Sequence, residues 1–245
     1  MTPKCNLLLI VGLSVFLAFS EMCSASMRSC DGSPRVIGAF GAENTPRAPV
    51  TVSAEVRAQL PGVTSVIEVL NTQLAPSGEQ VIVYSTNEDE SDPLPKVAFI
   101  TGGKLAKIMD AIEMAPEGGG FWRFLSGCQF DVARNQKALA LAFSTSFDGS
   151  GSAFAVIIWR SSDYQVVFNP LITQGRMVLS SGKLALWDSD GTGECVWCRQ
   201  HYLVRNYEWH NKTYVRTTVV KLKKAYDPAT ISGTPLVIAG ATDQN

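Results

Sequence analysis

The sequence predicts an all-β protein, built as an antiparallel meander. Three observations carry this: short runs that alternate apolar and polar residues, turn residues between them, and aromatic side chains that sit mainly inside the runs of a glycine-rich chain. A small or degenerate β-propeller is one form such a meander takes, and at most one short helix is expected, near residues 104–115.

The N-terminal segment comes first. Met1 to Lys4 carries one positive charge, the uncharged apolar run Leu7–Phe19 follows, and Ser20–Ser26 is polar. Thirteen helical residues reach about 20 Å at roughly 1.5 Å each, short of the roughly 30 Å hydrocarbon core, so residues 1–25 are predicted to be a signal peptide rather than a membrane span. Cys23-Ser24-Ala25 ends on a small residue, which places cleavage after Ala25 and the protein outside the cell or in the periplasm. No later stretch is apolar enough to cross a bilayer.

Cleavage removes Lys4 and Glu21 together, so the net charge of −1 is unchanged. That balance, with no basic cluster beyond Lys221-Leu222-Lys223-Lys224, argues against a dedicated nucleic-acid surface. Cys5 and Cys23 leave with the leader, and Cys30, Cys128, Cys195 and Cys198 remain, an even set suited to an oxidising compartment. Four cysteines allow three pairings, which sequence alone does not decide; Cys30–Cys128 with Cys195–Cys198 is the favoured one. In chain-entropy terms the longer bridge is worth about 4 kcal/mol or more.

Residues 26–49 read as an irregular lead-in, rich in Ser, Gly, Pro and Arg. The β-rich domain is expected over 50–225. Its strand-like runs begin with Val50–Val56, which alternates, and Val63–Leu70, set apart by Pro61-Gly62. Gln80–Ser85 and Lys96–Thr101 flank an acidic turn at Asn87–Asp92. After Gly102-Gly103, Lys104–Met114 places apolar residues at 105, 108, 109 and 112, a spacing that fits a helix as well as a strand. Ala138–Ser144 and Ala153–Arg160 follow, joined by a turn at Asp148–Ser152, and then Tyr164–Asn169. Met177–Ser180 and Lys183–Trp187 meet at Gly182. Tyr202–Trp209 and Thr213–Leu222 form a hairpin turning at His210-Asn211-Lys212. Residues 226–245 read as a loosely held tail.

Two internal echoes are present. Ile100–Ala106 recurs as Leu179–Ala185, and a strand, acidic turn, strand arrangement starts near Val81, Leu139 and Leu184. Repeats of this order suit antiparallel blades of about four strands, although any antiparallel meander generates such echoes.

The candidate chemistry gathers between residues 188 and 210. Asp188-Ser189-Asp190-Gly191-Thr192-Gly193-Glu194 alternates side-chain oxygens along a glycine-rich loop, a pattern able to converge on a hard cation; a plain Asp/Gly turn is the competing reading. This segment resembles the Asp-x-Asp-Gly-x-Gly turns of FG-GAP and VCBS (integrin-α-like) β-propeller repeats, with Asp148-Gly149-Ser150-Gly151 as a degraded copy. The resemblance covers about residues 148–226, and it implies a calcium bound by Asp188, Asp190, Thr192 and Glu194. Thr192 stands where those repeats usually carry another acidic residue, and their Phe-Gly and Gly-Ala-Pro signatures are absent.

Cys195-Val196-Trp197-Cys198 leads into a strand-like run instead of a helix, so a local disulfide is favoured over a redox-active thiolate. A zinc site would draw on Cys195, Cys198, His201 and His210. Among Tyr202, Tyr207, Trp209 and Tyr214, Tyr207 and Trp209 share a strand face, and Tyr214 can pair with one of them across the turn; core packing is favoured over a binding platform. Asn211-Lys212-Thr213 is a glycosylation acceptor pattern in a eukaryotic source. There is no Gly-x-Ser-x-Gly elbow or phosphate-binding loop.

The expectation is therefore an exported, non-enzymatic β-domain that binds a protein, glycan or small molecule, with no cofactor expected and calcium at Asp188 and Asp190 as the alternative. The alternative is a secreted enzyme or redox or metal protein using Cys195, Cys198 and His201.

Overall fold

The computed structural model describes residues 35–37, 50–86, 95–114, 123–145, 151–173, 175–180, 182–191 and 198–226. In chain order these form β1 (Arg35–Ile37), α1 (Ala54–Arg57), β2 (Ser65–Thr72), β3 (Glu79–Ser85), β4 (Lys96–Thr101), β5 (Lys104–Met109), α2 (Ala111–Met114), β6 (Arg123–Ala133), β7 (Gln136–Ser144), β8 (Gly151–Arg160), β9 (Asp163–Phe168), β10 (Leu171–Thr173), β11 (Arg176–Ser180), β12 (Lys183–Ser189), β13 (Tyr202–His210) and β14 (Thr213–Lys221). The expected class holds: every strand pairing is antiparallel.

The strands form three sheets, each centred on a four-strand meander. The first is β2-β3-β4-β5. The second is β6-β7-β8, with β9 and β10 on successive stretches of the free edge of β8. The third is β11-β12-β13-β14, with β1 added beside β11. The sequence echoes near Val81, Leu139 and Leu184 fall on β3, β7 and β12, the second strand of each meander. The echo of Ile100–Ala106 in Leu179–Ala185 has a more local cause. It marks two tight turns, β4–β5 and β11–β12, that hold different places in their sheets.

The sheets stack face to face in chain order. Between the first and second, Val81, Val83, Val97 and Phe99 meet Leu139, Leu141, Phe143 and Ile157. On the other side of the second sheet, Ala138, Ala140, Phe154, Val156 and Ile158 pack with Met177, Leu179, Leu184 and Leu186 of the third. The middle sheet is thus covered on both faces, which is why β7 and β8 read as nearly continuous apolar runs. Their side chains complement each other. β7 sends leucines and Phe143 toward the first sheet and alanines toward the third; β8 does the opposite, with Ala153 and Ala155 on one side and Phe154 and Val156 on the other.

Two segments differ from the sequence expectation. Val50–Val56 is not a strand: Ser53 caps α1, its Oγ accepting from Val56 N at 3.3 Å, and the valines cover the outer face of the first sheet beside Leu60, Ile82 and Tyr84. Lys104–Met109 is a strand, turned back by Gly102 and Gly103 at φ +57° and +77°, and the helix is confined to the single turn α2. A bulge against Phe99 and Ile100 puts Leu105 and Ile108 on one face, a spacing of three that imitates a helix. The sequence reading also missed β6 and β10 and took the lead-in as irregular throughout, where β1 forms a strand. The predicted signal peptide, the acidic turn at 87–92, the 148–150 turn and residues 227–245 lie outside the described residues.

Candidate functional site

The outer face of the third sheet carries a charge where an apolar row is expected. Arg176 on β11 lies opposite Trp187 on β12, which lies opposite Val204 on β13 and then Val220 on β14. Arg176 and Trp187 are both 0 % exposed. The guanidinium carbon sits 4.4 Å from the centre of the Trp187 ring, a cation–π contact. Around them pack Tyr202 and Tyr226, with ring centres 5.9 and 5.8 Å from that of Trp187, and Val178, Ala185 and Leu222.

Local structure fixes this pair tightly. Gly175 precedes Arg176, and a Cβ there would overlap the Trp187 carbonyl, so only glycine allows the chain to pass so close. On the far side, Gln200 and Tyr226 exchange two backbone hydrogen bonds, each 2.8 Å, which anchors the Tyr226 ring beside Trp187.

Electrostatics at this patch are unbalanced. Arg176 Nε, Nη1 and Nη2 and Trp187 Nε1 are buried and have no hydrogen-bond partner among the described residues. Burial pushes the Arg176 pKa down to about 10, opposed by the neighbouring Tyr202 and Tyr226. Tyr84 and Tyr214 also bury hydroxyls without partners, but each is one neutral group, far less costly than a guanidinium.

Beside this cluster a cavity of about 420 Å³ opens between the start of β13 and the end of β14, lined by His201, Lys221, Leu222 and Lys223. Leu222 belongs both to this lining and to the Trp187–Tyr202 cluster. His201 Nδ1 lies 3.3 Å from Leu222 O, and Lys224 Nζ lies 5.5 Å from the centre of the Tyr226 ring. The cavity rim is therefore basic.

Residues singled out from the sequence lie around this end of the sheet. Asp188 faces the other way: its carboxylate pairs with Arg205 and accepts from Thr173 N at 2.8 Å. Asp190 Oδ2 lies 3.0 Å from Lys221 Nζ. Any cation drawn to these two carboxylates competes with an arginine and a lysine already in place. Thr192, Glu194, Cys195 and Cys30 lie outside the described residues. Cys128 and Cys198 are both disulfide-bonded. Among the described residues no three His, Cys, Asp or Glu side chains gather as a metal site.

The zinc set does not come together. His201 and His210 flank the nine-residue β13, about 30 Å apart at roughly 3.3 Å per residue. His210 instead lies 3.5 Å from Glu208. The aromatic ladder behaves as core: Trp209 and Tyr214 are direct cross-strand partners with ring centres 5.1 Å apart, and Phe168 packs 4.8 Å from Tyr207. Tyr202 belongs to the opposite face. Asn211 and Lys212 form an exposed turn.

A second cavity, of about 720 Å³, lies between the β2–β3 and β6–β7 turns, with Arg134, Lys137 and Trp159 in its wall. Sequence reasoning missed Arg176, Trp187 and Tyr226. The signal was there for the first two: a turn at Ser181-Gly182 sets Arg176 opposite Trp187 by simple counting, and Arg176 follows a glycine at the head of an apolar strand.

No known protein family, curated protein or solved structure matches this chain.

Proposed function

We propose that the chain is an exported β-domain that binds a ligand at the basic end of its third sheet and does not transform it. The observation that carries this reading is the cavity lined by His201, Lys221, Leu222 and Lys223, set directly against the buried aromatic cluster. Its volume falls in the usual range for small-molecule sites, and it has the usual mixture of an apolar wall with a few polar groups. Export is supported by the leader-like residues 1–25 and the even cysteine set of the remaining chain. The bonded states of Cys128 and Cys198 support an oxidised cysteine set, and Cys30–Cys128 with Cys195–Cys198 is the pairing proposed for it.

Two measurements test this. Intact mass of protein secreted with its own leader, with and without reductant, should show a mature chain beginning at Ser26 and two disulfides. Free thiols at Cys195 and Cys198 holding zinc would instead support the enzyme or redox alternative with His201. Amide chemical-shift mapping against a mixed set of small molecules and glycans should move Leu222 and His201. Shifts confined to the Trp159 cavity, or none, would refute the site.

A further inference from the structure

We infer that the ligand bound at this end of the third sheet carries an oxyanion, a carboxylate or a phosphate, which Arg176 receives with help from Trp187 Nε1. The inference rests on the binding site proposed above and adds the chemistry of what it takes.

The argument starts from what a buried guanidinium needs. It has five N–H donors in a rigid fork and no acceptor, so inside a protein it is normally matched by a carboxylate or by several carbonyls. Arg176 has a ring beneath it and no hydrogen-bonding partner among the described residues. No described carboxylate pairs with it: Asp188 is held by Arg205, and Asp190 faces Lys221. The indole N–H of Trp187 is a second buried donor without an acceptor among the described residues. The nearby polar atoms of Tyr202 and Tyr226 belong to side chains that normally stay neutral. A guanidinium that meets no anionic acceptor among the described residues is complementary to an oxyanion, and its fork fits two oxygens of one group.

The approach to the site has the same sign. Lys223 lines the neighbouring cavity beside Lys221, whose charge Asp190 meets at 3.0 Å, and Lys224 sits over Tyr226. Positive walls around an apolar recess raise the local concentration of an anion. Leu222 lines the cavity, and the Trp187, Tyr202 and Tyr226 rings pack behind it, which makes this end of the sheet apolar, so the favoured molecule is an oxyanion on a flat apolar body.

The experiment uses the full mature protein and three probes of one shape: benzoate, phenyl phosphate and uncharged benzamide. Binding is read by calorimetry and by tryptophan fluorescence. Benzoate, phenyl phosphate or both should bind, more weakly as salt is raised, and benzamide should bind at least tenfold more weakly; the stronger of the two anions identifies the headgroup. Arg176→Met should lower the anion affinity at least tenfold while unfolding no earlier than the parent. Trp187→Phe, which keeps a ring and removes the indole N–H, should lower it by a smaller factor, and Arg176→Lys, which keeps charge without the fork, should not restore it. Equal affinity for benzamide and benzoate, undiminished anion binding by Arg176→Met, or no binding of either anion would overturn the inference. The site itself is judged separately, by whether any compound in the mapping set moves Leu222 and His201.

Discussion

At the scale of single residues, Arg176 opposes folding as well as marking the site. Burying a guanidinium without an anionic partner is costly, and its pKa, lowered to about 10 from the ordinary arginine value, has a definite sign. The unfolded chain holds this proton more tightly than the folded one, so the cost is fully present at neutral pH. It is relieved only as pH rises above about 10 toward the ordinary arginine range. Arg176→Met should therefore raise stability at pH 7 by about 1–4 kcal/mol, measured by denaturant unfolding, and the gain should shrink above about pH 10. Gly175→Ala should do the reverse, lowering stability by more than about 2 kcal/mol, because the backbone must move away from the Trp187 carbonyl. Neither effect is visible in composition. Sequence shows that a charge heads an apolar strand, but only pairing reveals that it is buried on the outer face beside Trp187 with no hydrogen-bond partner among the described residues.

At the scale of elements, the hairpin turns hold testable strain. Ser161 and Ser162 join β8 to β9 at φ +53° and +64°, and Asn211 and Lys212 join β13 to β14 at +48° and +72°. Both positions of such a turn need positive φ, which glycine supplies freely and serine and lysine do not. Ser162→Gly and Lys212→Gly should each stabilise by about 1 kcal/mol, a rise of about 3 °C in Tm by calorimetry. Strand positions were the most legible part of the sequence, since β4, β7, β8, β9 and the β13–β14 hairpin sit close to the predicted runs. Legibility failed where a local device interrupted the period of two. The Ser53 cap turned an alternating run into α1, and the bulge opposite Phe99 and Ile100 gave β5 a helical spacing.

At the scale of the whole molecule, stability rests on the doubly covered middle sheet. Phe154 fills the second interface toward the third sheet, where its neighbours on β7 are alanines. Phe154→Ala should cost about 3–5 kcal/mol, and Ala140→Leu, which adds bulk on the same side, about 1–3 kcal/mol, both read from the denaturation midpoint. The sequence makes the sheets legible as three echoes of one meander but says nothing of their order in the stack, because apolar runs do not record which neighbour each face will meet. The candidate site was half legible. The loop from Asp188 to His201 drew notice for its oxygens and sulfurs, whereas the aromatic and cationic cluster packed behind the recess comes from β11, β12 and the segment after β14, brought together only by folding.

The pairing of β1 with β11 has a consequence for biogenesis. Arg35–Ile37 finds its partners at Met177–Leu179, across more than half the chain. In a polypeptide made N-terminus first, the earliest described strand to emerge is among the last to find its place. Until Leu179 follows, that short segment stays exposed to proteases and holding chaperones, and its clipping would leave the edge of β11 open beside Arg176.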